Sequence, residues 1–272
     1  MTERDARALA LQLTPRRDQV IIATCILLIC AVAWVYLVHL HGHTSASRVS
    51  PTAMGGMRMS TDAAGGVAGM LLTFTMWAVM MVGMMGPTAA PVLLLFATGH
   101  ARQRTAGKRG VPTVALLFGV GYLTIWLGFS VAATLAHWAL NEAMLLSSTM
   151  AVASPRIAGA LFIGAGAYQL TPLKNACLEH CQSPMGFLMR HWREGPGGAF
   201  RMGLRHGVFC LGCCWALMAL LFAVGVMNLV GVALLTVFIL AERVGRGGGI
   251  ISRVGGVAMI GVGAFLLAAG WR

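Results

Sequence analysis

Residues 206–241 read HGVFCLGCCWALMALLFAVGVMNLVGVALLTVFILA. The apolar run from Gly207 to Ala241 is too long for one straight membrane-crossing helix, which needs about 20 residues, and too short for two helices joined by a long loop. A tight hairpin around Gly225 and Asn228 therefore predicts two antiparallel helices. The first of them carries chemistry. At about 100° per residue, His206, Cys210, Cys213 and Cys214 fall within roughly 100° of one another, with Met218 beside them.

Outward from this hairpin, further apolar runs extend over Val20–Val38, Gly69–Gly99 (interrupted by Pro87 and Pro91), Val111–Leu140, Ile157–Leu170 and Val254–Gly270. With 58% hydrophobic and 10% charged residues, the chain has the composition of an integral membrane protein. The expected fold class is all-α, a multi-pass transmembrane bundle of about seven helices. The first run exceeds the 7–15 apolar residues typical of a signal peptide and reads as a retained anchor. A cytoplasmic N-terminus leaves only Arg48, Arg58, Arg156 and Arg272 outside and puts every other Lys and Arg inside, as the positive-inside rule requires. It also sets Trp138 and Trp271 near the outer boundary and Trp192 near the inner one. The expected location is the cytoplasmic (inner) membrane of a bacterium.

The net charge of +12 comes from short basic clusters between apolar runs, so it orients the chain in a bilayer and does not point to nucleic acid. Seven cysteines placed mostly near or inside apolar runs do not form a secreted disulfide framework.

Five of those cysteines lie between positions 177 and 214. CLEHC puts Cys177 and Cys181 one helical turn apart with His180 alongside, an arrangement that presents two thiolates to one metal. Residues 185–205 alternate apolar and basic groups and read as interfacial helices that return the chain to His206. Both cysteine groups then meet at the inner membrane boundary. The alternative is that each cysteine is a small core hydrophobe; two such groups at one depth, each with a histidine, favour a metal.

Two methionine-rich stretches lie on the other side. The expected outer loop after the first helix carries His39, His41 and His43, then Met54, Met57 and Met59, and imidazole with thioether suits copper. In the second helix Met76, Met80 and Met84 form one i, i+4, i+8 row, with Met81 and Met85 on the next. Such a stripe fills packing gaps or forms a path for a soft metal, and here it runs inward from the His and Met loop. Pro87 is expected to break the helix near mid-span. In the third helix Gly119 and Gly121 are expected to make close contacts, and His137 to hydrogen-bond at the interface beside Trp138. Ala160 and Gly164 read as a small-xxx-small contact in the fourth, where Tyr168 and Gln169 need polar partners.

The strings WAVMMVGMMGPTAAP (77–91), YQLTPLKNACLEHCQSP (168–184) and HGVFCLGCCWALMALLFAVGVMNL (206–229) resemble a bacterial family of predicted metal-binding integral membrane proteins, a domain of unknown function. The resemblance runs from about residue 66 to the end. It divides the chain into residues 1–65, holding the N-terminus, first helix and His/Met loop, and residues 66–272, a six-helix metal-binding membrane domain. It implies a metal site at Cys177, His180, Cys181, His206, Cys210, Cys213 and Cys214, with Met80, Met81, Met84 and Met85.

Ligand softness selects the ion. Thiolate and thioether favour Cu(I), Zn(II) or iron-sulfur clusters; the methionines argue against zinc, and ferredoxin cysteine spacings are absent. Cu(I) is the expected cofactor or cargo, and with no ATP-binding motif the chain reads as a permease, carrier or delivery factor and not an enzyme. The expected partners are the lipid bilayer, a copper-receiving or complex-forming protein, and further copies of the chain. Two other classes stay open: a thiol oxidoreductase exchanging electrons between CLGCC, Cys177 or Cys181 and a quinone, and an accessory subunit of a larger membrane metalloenzyme complex.

Overall fold

The computed structural model describes residues 16–49, 66–102, 111–146, 151–245 and 247–269. These fold into α1 (Arg16–Val49), α2 (Val67–Arg102), α3 (Val111–Glu142), α4 (Pro155–Gln169), α5 (Pro172–Gln182), α6 (Pro184–His191), α7 (Gly195–Ala219), α8 (Leu221–Val224), α9 (Leu229–Val244) and α10 (Gly248–Ala269). Among the described residues five segments are long and apolar enough to cross a membrane: Gln19–Gly42, Val67–His100, Val111–Glu142, Gly195–Val224 and Gly248–Ala269. The remaining two candidates, α4 and α9, have 15 and 16 residues. At 1.5 Å per residue they reach roughly 22–24 Å, short of the ~30 Å hydrocarbon core. Five helices therefore meet the length requirement where the sequence led to an expectation of seven.

Helix starts follow local chemistry. Pro155, Pro172 and Pro184 each open a helix in its first turn, where a missing N–H costs nothing. The hairpin forms where expected. Gly225 takes φ 94°, a left-handed conformation that suits glycine, and the Asn228 side chain caps α9 by accepting from the Gly231 N–H at 3.1 Å.

Several expectations change. The histidines at 39, 41 and 43 lie on a helix and not in a loop, because α1 continues to Val49 and meets no proline before Pro51. Met54, Met57 and Met59 lie outside the described residues, as do Trp271 and Arg272. α2 runs unbroken through Pro87 and Pro91; in that turn Thr88 and Tyr122 both donate to the Met85 carbonyl, at 2.7 and 3.1 Å, from side chains packed against it. Of residues 185–205, expected as interfacial helices, the first part is the separate short helix α6, while residues 195–205 are not separate, since α7 runs from Gly195 through the cysteines.

Small residues set the crossings, though not all of those expected. A Cβ on Gly121 would collide with the Phe200 carbonyl, and one on Gly203 with that of Phe118, so α3 and α7 touch backbone to backbone. α4 and α10 cross equally closely. A Cβ on Gly159 would stand 2.8 Å from the Gly263 oxygen, and one on Gly166 2.6 Å from that of Gly256. Gly119 and Gly164 face open space. Around these crossings one buried cluster joins α2, α3, α5, α7 and α9, and it contains both the methionine row and the cysteines.

Candidate metal centre

The thiols are brought together by two helices. α5 begins where Thr171 accepts from the Lys174 N–H at 3.3 Å, and packs along α7. Cys181 on α5 then reaches Cys213 on α7, with sulfurs 3.9 Å apart. Two thiolates sharing one ion at about 2.3 Å each stand at most about 4.6 Å apart, so this pair can close on a metal without moving backbone. Cys210 and Cys214 complete a buried set, and the Cys213 and Cys214 thiols donate back to the Cys210 carbonyl at 3.2 and 2.8 Å. All seven cysteines are free thiols. Contact with Cys213, reinforced by burial, pushes the Cys181 thiol well above its usual range.

The methionine row shares the core that holds the thiols. Met80, Met81, Met84 and Met85 are all buried in the same cluster. The Tyr122 hydroxyl, which donates to the Met85 carbonyl at 3.1 Å, also lies 2.9 Å from Cys210 Sγ, and so links α2 to α7 through α3.

The histidines are placed differently from expectation. His180 is half-buried, with its ring stacked on Phe209 at 4.3 Å and 12° and its Nδ1 against the Ala176 carbonyl at 2.8 Å. Neither contact brings it to the thiols. His206 is fully buried between Tyr122 and Phe187, with centroids at 5.7 and 5.1 Å, and neither ring nitrogen has a hydrogen-bond partner. His137 is buried against Phe222, and its Nδ1 makes none of the interfacial hydrogen bonds expected of it. Cys177 is half-buried, with its sulfur beside Gly212. Among the described residues, no three His, Cys, Asp or Glu side chains already converge on a metal-sized point.

Three charged residues at this site were not singled out from the sequence. Arg243 of α9 points its Nη2 at the Cys210 carbonyl (3.1 Å), Cys213 Sγ (2.9 Å) and Cys214 Sγ (3.4 Å). Beside it, Lys174 and Glu242 form an ion pair with both Nζ–O distances at 2.8 Å, and Gln169 Nε2 donates to Glu242 Oε1 at 2.9 Å. Lys174 also donates to Gln169 Oε1, and Tyr168 donates to the Gly212 carbonyl, which supplies the polar partners that Tyr168 and Gln169 needed. Burial pulls the Lys174 ammonium below its usual range and the Glu242 carboxylate draws it back up. The signal available was the pair Glu242–Arg243, which continues a run from Val232 with no glycine until Gly245, so the helix carries both charges into the core.

A family model described as copper chaperone, PpoB2, matches residues 74–266. The chain belongs to that family. No curated protein and no solved structure matches it. The span matched by the copper chaperone family covers α3–α9 whole, with most of α2 and α10, and so contains the methionine row and all the clustered thiols. The donor set fits copper: four thiols with neighbouring thioethers are soft ligands, and the carboxylate beside them, Glu242, is already engaged by Lys174. A copper-related role therefore rests on the family and on ligand chemistry together.

Proposed function

We propose that this protein is a multi-pass protein of the bacterial cytoplasmic membrane that binds Cu(I) at Cys181, Cys210, Cys213 and Cys214 and serves copper transport, delivery or homeostasis. The observation that carries this reading is the 3.9 Å approach of Cys181 to Cys213 inside one buried cluster with the methionine row. Copper passes between the methionines and the thiols, and a partner protein receives it. Cys177, half-buried one turn from Cys181, is the outlying thiol of the set; His206 sits one turn before Cys210 with both nitrogens free of hydrogen bonds. His180 adds a further donor on the exposed side.

The methionines test the path separately from the site. Leucine conserves methionine's volume and the exchange usually costs under about 1.5 kcal/mol. A variant with Met80, Met81, Met84 and Met85 all replaced by leucine should fold normally and yet carry less copper when purified from copper-fed cells, as measured by elemental analysis. Wild-type copper content in that variant would mean that the row only packs.

In this reading α4 and α9 also cross, giving seven spans with the N-terminus in the cytoplasm. Reporter fusions at residues 105 and 272 should then report cytoplasm and exterior respectively. A cytoplasmic signal from residue 272 would remove the seven-span arrangement.

A further inference from the structure

Arg243 is 7% exposed, and among the described residues no carboxylate bonds it. The adjacent Glu242 is taken by Lys174. The Arg243 Nε and Nη1 have no hydrogen-bond partner, while Nη2 is aimed at Cys213, Cys214 and the Cys210 carbonyl. A guanidinium is always charged, and a buried charge without a counter-charge is costly. Within hydrogen-bond reach this cation faces two cysteine sulfurs and a carbonyl. Its position calls for something at the sulfurs that carries one negative charge.

We infer that Arg243 is the charge partner of a two-thiolate complex centred on Cys213 and makes the site selective for a monovalent soft cation over a divalent one. The inference rests on the copper-binding reading above. Binding replaces two thiol protons, released to water or to the copper donor, by one Cu(I); no electron moves. Two thiolates and Cu(I) carry one net negative charge, which Arg243 neutralises. Two thiolates with Zn(II) are already neutral, so the same arginine leaves a positive charge in an apolar interior. The count of two follows the geometry, since Cys181 and Cys213 are the sulfurs within bridging distance of each other; a third thiolate would make the zinc complex the neutral one. Lys174 and Glu242 cancel each other and do not enter the balance. Cys213 is the common member, since it alone is within reach of both Cys181 and Arg243. Arg243 is thus a positioning and selectivity residue that need not touch the metal.

The test uses the detergent-purified full chain, titrated with Cu(I) and separately with Zn(II) against chromophoric chelators. Wild type should prefer Cu(I). Arg243→Gln should shift the Cu(I)-to-Zn(II) affinity ratio by about tenfold or more toward zinc, because one unit of nearby buried charge is removed. Arg243→Lys, which keeps the charge, should retain the preference for Cu(I). A ratio unchanged in Arg243→Gln, or equal weakening of both metals, would make the arginine merely structural and overturn the proposal. Should Arg243→Gln not fold, as judged by gel filtration and circular dichroism, Arg243→Lys decides alone: loss of the copper preference there refutes it. The unfolding midpoint gives a second measure, as Cu(I) should raise it more in wild type than in Arg243→Gln. Wild-type protein that binds no Cu(I) would refute the copper reading itself, an outcome distinct from a copper-binding protein indifferent to Arg243.

Discussion

Replacing Cys213 by serine should strip most of the copper from the purified protein, with Cys214→Ser and Cys210→Ser following in that order. Cys213 is 3.9 Å from Cys181 and 2.9 Å from the Arg243 guanidinium, so it anchors the pair of sulfurs best placed to share an ion. Cys214 is one step further from the arginine, at 3.4 Å, and the Cys210 sulfur is occupied by the Tyr122 hydroxyl at 2.9 Å. A serine hydroxyl is a harder ligand and far less acidic than a thiol, yet it still accepts from Arg243 and donates to the Cys210 carbonyl. The fold should therefore survive. Loss of a group that only orients a metal ligand costs about 10–100-fold in affinity, so loss of the ligand itself should cost at least as much. Native mass spectrometry or elemental analysis of the three single variants measures this. Unaltered copper in all three would shift the site to the methionines or to an accessory role in a larger complex.

Stability should respond most to Lys174. Lys174→Met leaves Glu242 buried, 2% exposed, without its cation. Breaking one side of a buried pair typically costs about 3–5 kcal/mol, whereas replacing both sides by apolar groups is often neutral or better. Lys174→Met should thus lower the denaturation midpoint sharply, and adding Glu242→Leu should restore it largely. In Lys174→Met, Gln169 still donates to Glu242 but does not remove its charge. Tryptophan fluorescence during denaturant unfolding in detergent would follow both proteins. A single variant that unfolds with the wild type would show that the pair is solvated and not a structural clamp.

The parts legible in the sequence were those governed by local rules. Helical runs, the turn at Gly225 and Asn228, the shared face of Cys210, Cys213 and Cys214, and the buried methionine row all follow from periodicity and turn chemistry. What local rules cannot supply is partnership across the chain. Lys174 and Glu242 are 68 positions apart, and each alone looks like a charge at the end of a span. Arg243 counts by charge alone among the basic residues of the inner side, although its place on α9 points it at thiols about 30 residues upstream. His180 had the right spacing for a ligand, but an aromatic neighbour 29 positions on, Phe209, claims its ring. The close crossings fell to Gly159, Gly166 and Gly203, and not to Gly119 or Gly164, because which face of a helix meets its neighbour depends on the packed bundle.

Burial of the methionine row also governs its chemistry toward oxidants. Thioether sulfur is converted to sulfoxide where peroxide can reach it, and the product is polar and disruptive in a core. Met144 and Met189 stand 89% and 78% exposed, while Met80, Met81, Met84 and Met85 are 0–1% exposed. The surface thioethers are therefore consumed first, and damage is spent on positions that bear no packing load. The interior row keeps its soft, unoxidised sulfur until the bundle itself opens.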